Sequence, residues 1–196
     1  MSSIEYLNKL YNSDKKLFKT SDIQKILDID VDRTLEDIIK RFIDKKILIQ
    51  LEKGKYILEN SDISDFEIAQ FLYSPSYISF ETALNYHGIL SQFPVEITSA
   101  TIQKNTTKEI AEKIYSYSKL STNLYTGYYK EGNSLIALPE KALFDQFYMI
   151  TKGIKTDQYL DEMDYSNIKK EELAKYLNLL QNGSATSVNA LISKYL

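Results

Sequence analysis

The sequence predicts an α+β protein in two parts, and three observations predict it. Three helical patterns followed by two β-prone runs fill the first 60 residues. Residues 95–138 hold alternating runs rich in tyrosine and β-branched side chains. From Pro139 onward the apolar spacing is helical to the end. The expected parts are an N-terminal domain over 1–60 and a mixed α/β C-terminal domain over 61–196 that ends in helices. A chain of 196 residues is long enough to bury a sizeable core.

The first helix opens at Ser2, three residues before Glu5, with capping-box spacing, and runs through Ile4, Leu7, Leu10 and Tyr11. Residues 13–19 read as a polar, lysine-rich connection around Leu17 and Phe18. Ser21 with Gln24 opens a short second helix carrying Ile23, Ile26 and Leu27. After a turn at Asp28–Asp30 comes a third helix, capped by Asp30 or Asp32, whose apolar face is Val31, Leu35, Ile38, Ile39, Phe42 and Ile43. The period then falls to two. ILIQL (47–51) and KYIL (55–58) flank Glu52-Lys53-Gly54, which reads as a tight hairpin. Three helices and a hairpin in this order form the winged helix-turn-helix pattern.

Ser64 and Glu67 have the S-x-x-E spacing in which hydroxyl and carboxylate each take the other residue's amide. The helix they open must stop before Pro75, which has no N–H to donate. Ser79 and Glu81 start another, burying Phe80, Ala83 and Leu84, with Gly88 as its left-handed stop and Ile89 folding back on Leu84. VEITSATI (95–102), IYSYSKL (114–120), NLYTGYY (123–129) and SLIAL (134–138) are predicted strands. Thr106 with Glu109 predicts a short helix reaching about Lys113. Pro139 suits the first position of a helix burying Ala142, Leu143, Phe147 and Ile150 and stopping at Gly153.

Composition excludes several classes of function. There is no cysteine, so disulfides and thiolate metal sites are ruled out. The six glycines are scattered singly, which removes a phosphate-cradling loop. No H-E-x-x-H, G-x-S-x-G or clustered ligand set occurs, so the expectation is a non-enzyme with no cofactor and no metal. His87, the one histidine, stands at a helix end and reads as a packing or capping residue. The opening MSSIEYLNKLY lacks a basic leader before an apolar run, and no apolar stretch reaches membrane length, so a cytoplasmic protein with no membrane partner is expected.

Net charge is −3, divided as 12 basic against 11 acidic residues in 1–60 and 12 against 16 in 61–196. Neither part announces nucleic acid by charge alone. The expected contact with double-stranded DNA rests on the pattern: a winged helix puts its third helix in the major groove and its hairpin on the neighbouring backbone. Arg33 and Thr34 in the first turn face base edges in that arrangement, and Lys40 and Arg41 lie on the same face. Lys53 and Lys55 in the hairpin meet phosphates. Asp30, Asp32, Glu36 and Asp37 oppose this by repelling phosphates. A winged helix can also serve as a protein-interaction platform, or as a stand-alone transcriptional regulator.

KGKYIL (53–58), YSPSYISFETALNYHGI (73–89), EITSAT (96–101), GYY (127–129) and ALPEKALFDQFY (137–148), taken in order, resemble the AbiEi family of antitoxins. These belong to abortive-infection, or type IV toxin–antitoxin, systems of phage defence. The resemblance implies an N-terminal winged helix that represses its own operon by binding inverted repeats. It also implies a C-terminal domain that counteracts a nucleotidyltransferase toxin without a stable complex.

Overall fold

A computed structural model describes residues 3–196, with side chains for all but Ser3 and Asn182. The capping box expected at Ser2–Glu5 falls on a residue outside that range. The fold is α+β, with its contacts grouped into two compact units, one reaching Leu72 and the other spanning Tyr73–Leu196. Among the described residues, no helix is long and apolar enough to cross a membrane.

The first unit runs α1 (Ser3–Tyr11), β1 (Leu17–Lys19), α2 (Thr20–Leu27), α3 (Asp32–Asp44), β2 (Leu48–Glu52), β3 (Lys55–Leu58) and α4 (Asp65–Leu72). Its three strands form one antiparallel sheet in the order β1-β3-β2. The strand β1 lies where the sequence reads as a plain connection. Leu17, Phe18 and Lys19 pair with Ile57, Tyr56 and Lys55, a partner beyond the reach of any local pattern. Phe18 thereby joins Leu10, Ile23, Leu27, Leu35, Ile38, Phe42, Leu48 and Leu58 in a core complete by residue 58. Asp30 and Asp32 do not cap α3. Val31 holds the N-cap position and Asp32 is the first helical residue, where its charge suits the helix dipole.

The capping box at Ser64 and Glu67 forms as expected, with the Glu67 amide on Ser64 Oγ at 3.3 Å and the Ser64 amide on the carboxylate at 3.0 Å. The helix α4 that it opens is held to the sheet of its unit by Lys55, which donates to the Leu72 carbonyl and sits over the Phe71 ring. Contacts therefore divide the chain one helix later than the sequence punctuation at residue 60.

The second unit contains β4 (Ser76–Ile78), α5 (Phe80–Tyr86), β5 (Glu96–Thr101), β6 (Thr106–Ile110), β7 (Lys113–Lys119), β8 (Tyr128–Glu131), β9 (Ser134–Ala137), α6 (Pro139–Thr151), α7 (Lys170–Leu177) and α8 (Asn182–Tyr195). Its mixed six-stranded sheet has the order β6-β7-β5-β4-β9-β8. The helix expected from Thr106 and Glu109 is instead β6, antiparallel to β7 across a two-residue turn at Ala111-Glu112. Five cross-strand pairs override the single capping box that this spacing offers. Residues 122–124 form a turn of 3-10 helix, so the strand expected from Asn123 begins only at Tyr128. The Schellman stop of α5 forms, with Gly88 at φ +72° and the Ile89 amide on the Leu84 carbonyl at 2.9 Å.

Candidate functional site

Two side-chain arrays bear on function, one in each unit. The first is the solvent face of α3 with the β2–β3 hairpin. Leu35, Ile38, Ile39 and Phe42 turn α3 inward, which leaves Arg33, Thr34, Glu36, Asp37, Lys40, Arg41 and Asp44 exposed. Helical geometry puts positions 33, 37, 40, 41 and 44 along one stripe. Arg41 donates from Nε to the main-chain oxygen of Asp37 at 3.1 Å. Lys53 is exposed at the hairpin turn, whose Gly54 carbonyl accepts the Thr20 amide at 3.0 Å and ties the tip to the start of α2.

Lys55 is engaged differently. Its ammonium pairs with Glu52 at 2.8 Å and donates to Leu72, so its side chain is half-buried inside its own unit. Five of the six residues expected to meet DNA are therefore exposed, and Lys55 is committed to the fold.

The second array was not legible in the sequence. Strand β4 passes directly into α5 through Phe80, a buried residue at φ +57°, a conformation that ordinarily costs about 1–2 kcal/mol for a side-chain-bearing residue. This abrupt turn aims Tyr77 and Ser79 at α6, where Lys141 and Asp145 lie one turn apart and fully buried. Lys141 Nζ donates to Asp145 Oδ1 and, at 2.9 Å, to Tyr77 Oη. The Tyr77 hydroxyl donates to Asp145 Oδ2 at 2.9 Å and Ser79 Oγ to the same oxygen at 2.8 Å. The rings of Tyr77, Phe144 and Tyr176 surround the ammonium at 5.5–5.7 Å, within cation–π range.

The contacts fit an ammonium, a carboxylate and a neutral phenol. Burial pushes the Asp145 carboxyl up, opposed by the Lys141 charge and the three donors. Burial pushes Lys141 down, opposed by Asp145. Burial and the Asp145 charge both push Tyr77 well above the usual phenol range, which keeps its proton in place for donation. No atom of Lys141 or Asp145 reaches solvent, so the array acts as a joint between β4 and α6.

His87 sits at the end of α5. A carbonyl only accepts, so its Nε2–H donates to Ala137 at 2.7 Å, and its ring packs edge-on against Tyr86 at 5.2 Å. Both contacts are structural. The Ser79–Gly88 and Ala137–Tyr148 segments thus meet through three side-chain hydrogen bonds, Ser79–Asp145, Gln146–Glu81 and His87–Ala137.

No protein-family profile and no curated protein matches the chain. Among solved structures, the crystal structure of the RV2827C protein from Mycobacterium tuberculosis is similar. It aligns with a TM-score of 0.64 at 15% identity, over 97% of this chain and 76% of that one. The likeness is one of fold.

Proposed function

We propose that the chain is an AbiEi-type antitoxin whose first unit is a winged helix-turn-helix that binds double-stranded DNA. In this reading the protein represses its own operon at inverted repeats and counteracts a nucleotidyltransferase toxin, and it performs no catalysis. The observation that carries the DNA-binding half is the element order α1-β1-α2-α3-β2-β3 with sheet order β1-β3-β2. In this reading α3 enters a major groove, with Arg33, Thr34, Lys40 and Arg41 on its exposed face and Lys53 on the hairpin. The antitoxin half is supported by the resemblance segments Ser79–Gly88 and Ala137–Tyr148, which meet around Ser79, His87 and Asp145.

The test has two arms. Purified protein should shift its own upstream DNA at low salt. Co-expression should relieve the toxicity of a nucleotidyltransferase encoded alongside. Arg33→Ala should weaken repeat binding by about 1–3 kcal/mol if the guanidinium reads a base, whereas loss of a phosphate contact lowers the salt slope by about one. Absence of any shift by the wild type at low salt rejects the DNA reading of α3.

A second reading keeps the winged helix as a protein-interaction platform without a toxin partner. It is favoured by the exposed Asp32, Glu36, Asp37 and Asp44, which offset the cations of α3. A chain that fails to shift its promoter, with no nucleotidyltransferase gene beside it, would select this alternative.

A further inference from the structure

The loop after α5 holds two large apolar side chains, Phe93 and Val95, each 89% exposed. The loop is not free to fold them inward. Asn85 Nδ2 donates to the carbonyls of both Leu90 and Gln92 at 3.0 Å, and Gln92 Nε2 donates to the Glu162 carboxylate. Pro94 then fixes the backbone between the two apolar residues. Phe93, Pro94 and Val95 form one wall of a cavity of about 270 Å³ that they share with Glu81, Gln92, Glu96 and Lys155.

The electrostatics of this place are one-sided. Glu81 is neutralised by Lys155 and accepts a further bond from Gln146 Nε2 at 3.0 Å. Glu96, on the cavity wall, and Glu162, bonded to Gln92 at its rim, have no cation partner among the described residues. The segment 61–196 carries 12 basic against 16 acidic residues, so its wider field has the same sign.

These features select the occupant. Each is 89% exposed, so a small molecule confined to a cavity of this size covers only the faces of Phe93 and Val95 that line it. Burying those two side chains needs a macromolecular surface. Nucleic acid and anionic membrane are both repelled by Glu96 and Glu162. We infer that the 90–96 loop and its cavity form a docking site for a segment of another polypeptide in which arginine or lysine adjoins apolar residues. The apolar side chains cover Phe93 and Val95, and the cation reaches Glu96 and Glu162, where an arginine fork can take a carboxylate in bidentate fashion. This inference does not depend on the antitoxin reading.

The experiment uses the full-length, ¹⁵N-labelled chain and a synthetic peptide of sequence Leu-Arg-Phe-Lys, blocked at both ends, with Leu-Glu-Phe-Glu as its control. The basic peptide at millimolar concentration should shift the amides of Glu81, Gln92, Phe93, Val95, Glu96 and residues 155–162, and the control should not. Affinity should fall about fivefold or more on raising the salt, as expected for charges near the surface. It should be lost in the Glu96→Gln/Glu162→Gln variant and weakened in Phe93→Ser/Val95→Ser. Both apolar positions are exposed, so that variant should melt as the wild type does. Absence of shifts, equal shifts with the acidic peptide, or shifts spread over the surface would overturn the inference. So would perturbation of the same amides by a single-stranded oligonucleotide or phosphatidylglycerol vesicles.

Discussion

The solvent face of α3 and the buried face of α6 use the same helical spacing for opposite ends. On α3, Glu36 precedes Lys40 and Asp37 precedes Arg41 by four residues, the order that the helix dipole favours, and all four side chains are exposed. On α6, Lys141 precedes Asp145 in the less favourable order, yet this pair is fully buried. Local preference therefore does not decide which ion pair governs the fold. Tyr77 and Ser79 reverse the outcome by bringing further donors to Asp145 from β4. An exposed pair is worth a fraction of a kcal/mol, whereas a buried pair becomes costly when only one partner is removed.

The largest expected effect tests that asymmetry. Asp145→Ala leaves Lys141 buried without its counter-charge and should cost about 3–5 kcal/mol in urea unfolding. The double variant Lys141→Met/Asp145→Leu removes both charges and should recover most of that loss, since the surrounding rings already form an apolar cage. A single variant that melts like the wild type would show that the network holds nothing together. Charge-removing variants on α3, such as Glu36→Gln, should stay within about 0.5 kcal/mol of the wild type.

Next comes a backbone test of the same cage. Gly127 has φ +75°, and a Cβ there would come 2.5 Å from Tyr176 Oη and 2.9 Å from Lys141 Cγ. Gly132, at the β8–β9 turn, has φ +57° but nothing within 4 Å. Both alanine variants carry the left-handed strain of about 1–2 kcal/mol. Gly127→Ala should add about 1–3 kcal/mol of overpacking that Gly132→Ala escapes. Equal melting of the two would mean that the rings around Lys141 yield freely.

In the first unit, Lys53 and Lys55 are two residues apart and should separate cleanly. Lys55→Met gives up the bond to the Leu72 carbonyl and the Glu52 pair, at a cost of about 1 kcal/mol in thermal unfolding. Lys53→Ala should leave stability within about 0.5 kcal/mol and, if the hairpin meets phosphates, lower the salt slope of DNA binding by about one. The reverse pattern would mean that Lys55, and not Lys53, is the free cation.

What the sequence made legible was whatever is settled within a few residues. The Ser64–Glu67 capping box, the Gly88 stop, the hairpin at Lys53-Gly54 and the Pro139 start are all local, and all form. Strands β1 and β4 escaped notice because each has three residues and takes its identity from distant partners. Thr106 and Glu109 misled because an S/T-x-x-E spacing recurs by chance, and only the pairing with β7 shows that it lies on a strand. The exposed cations of α3 could be named because amphipathic periodicity assigns a solvent face. The Lys141–Asp145 network could not, because a lysine and an aspartate one turn apart read as a solvated face. What buries them is contributed by Tyr77 and Ser79, more than sixty residues away.

The smallest effect belongs to Asp22, a half-buried counterpart of Asp145. Its carboxylate pairs with Lys15 at 2.7 Å and accepts the Lys19 amide at 2.8 Å, closing the first turn of α2. Slight burial pushes its pKa up, but the Lys15 ammonium and the Lys19 amide outweigh this and hold it below the ordinary 3.8. A carboxyl lowered on folding contributes stability that is present above 3.8 and disappears as the pH falls through the folded value. Asp22→Ala should cost about 1 kcal/mol near neutral pH through the lost cap. Asp22→Asn keeps an acceptor for the Lys19 amide and should lose less. Urea midpoints taken down the pH scale should show the wild type converging on Asp22→Asn once the carboxyl is protonated. Asp145 should behave in the opposite sense. Burial raises its pKa against the pull of Lys141 and the three donors, so its ionisation opposes folding as the pH rises. If the Asp22→Asn difference persists unchanged to the lowest pH, the charge of Asp22 contributes nothing and the amide contact alone caps the helix.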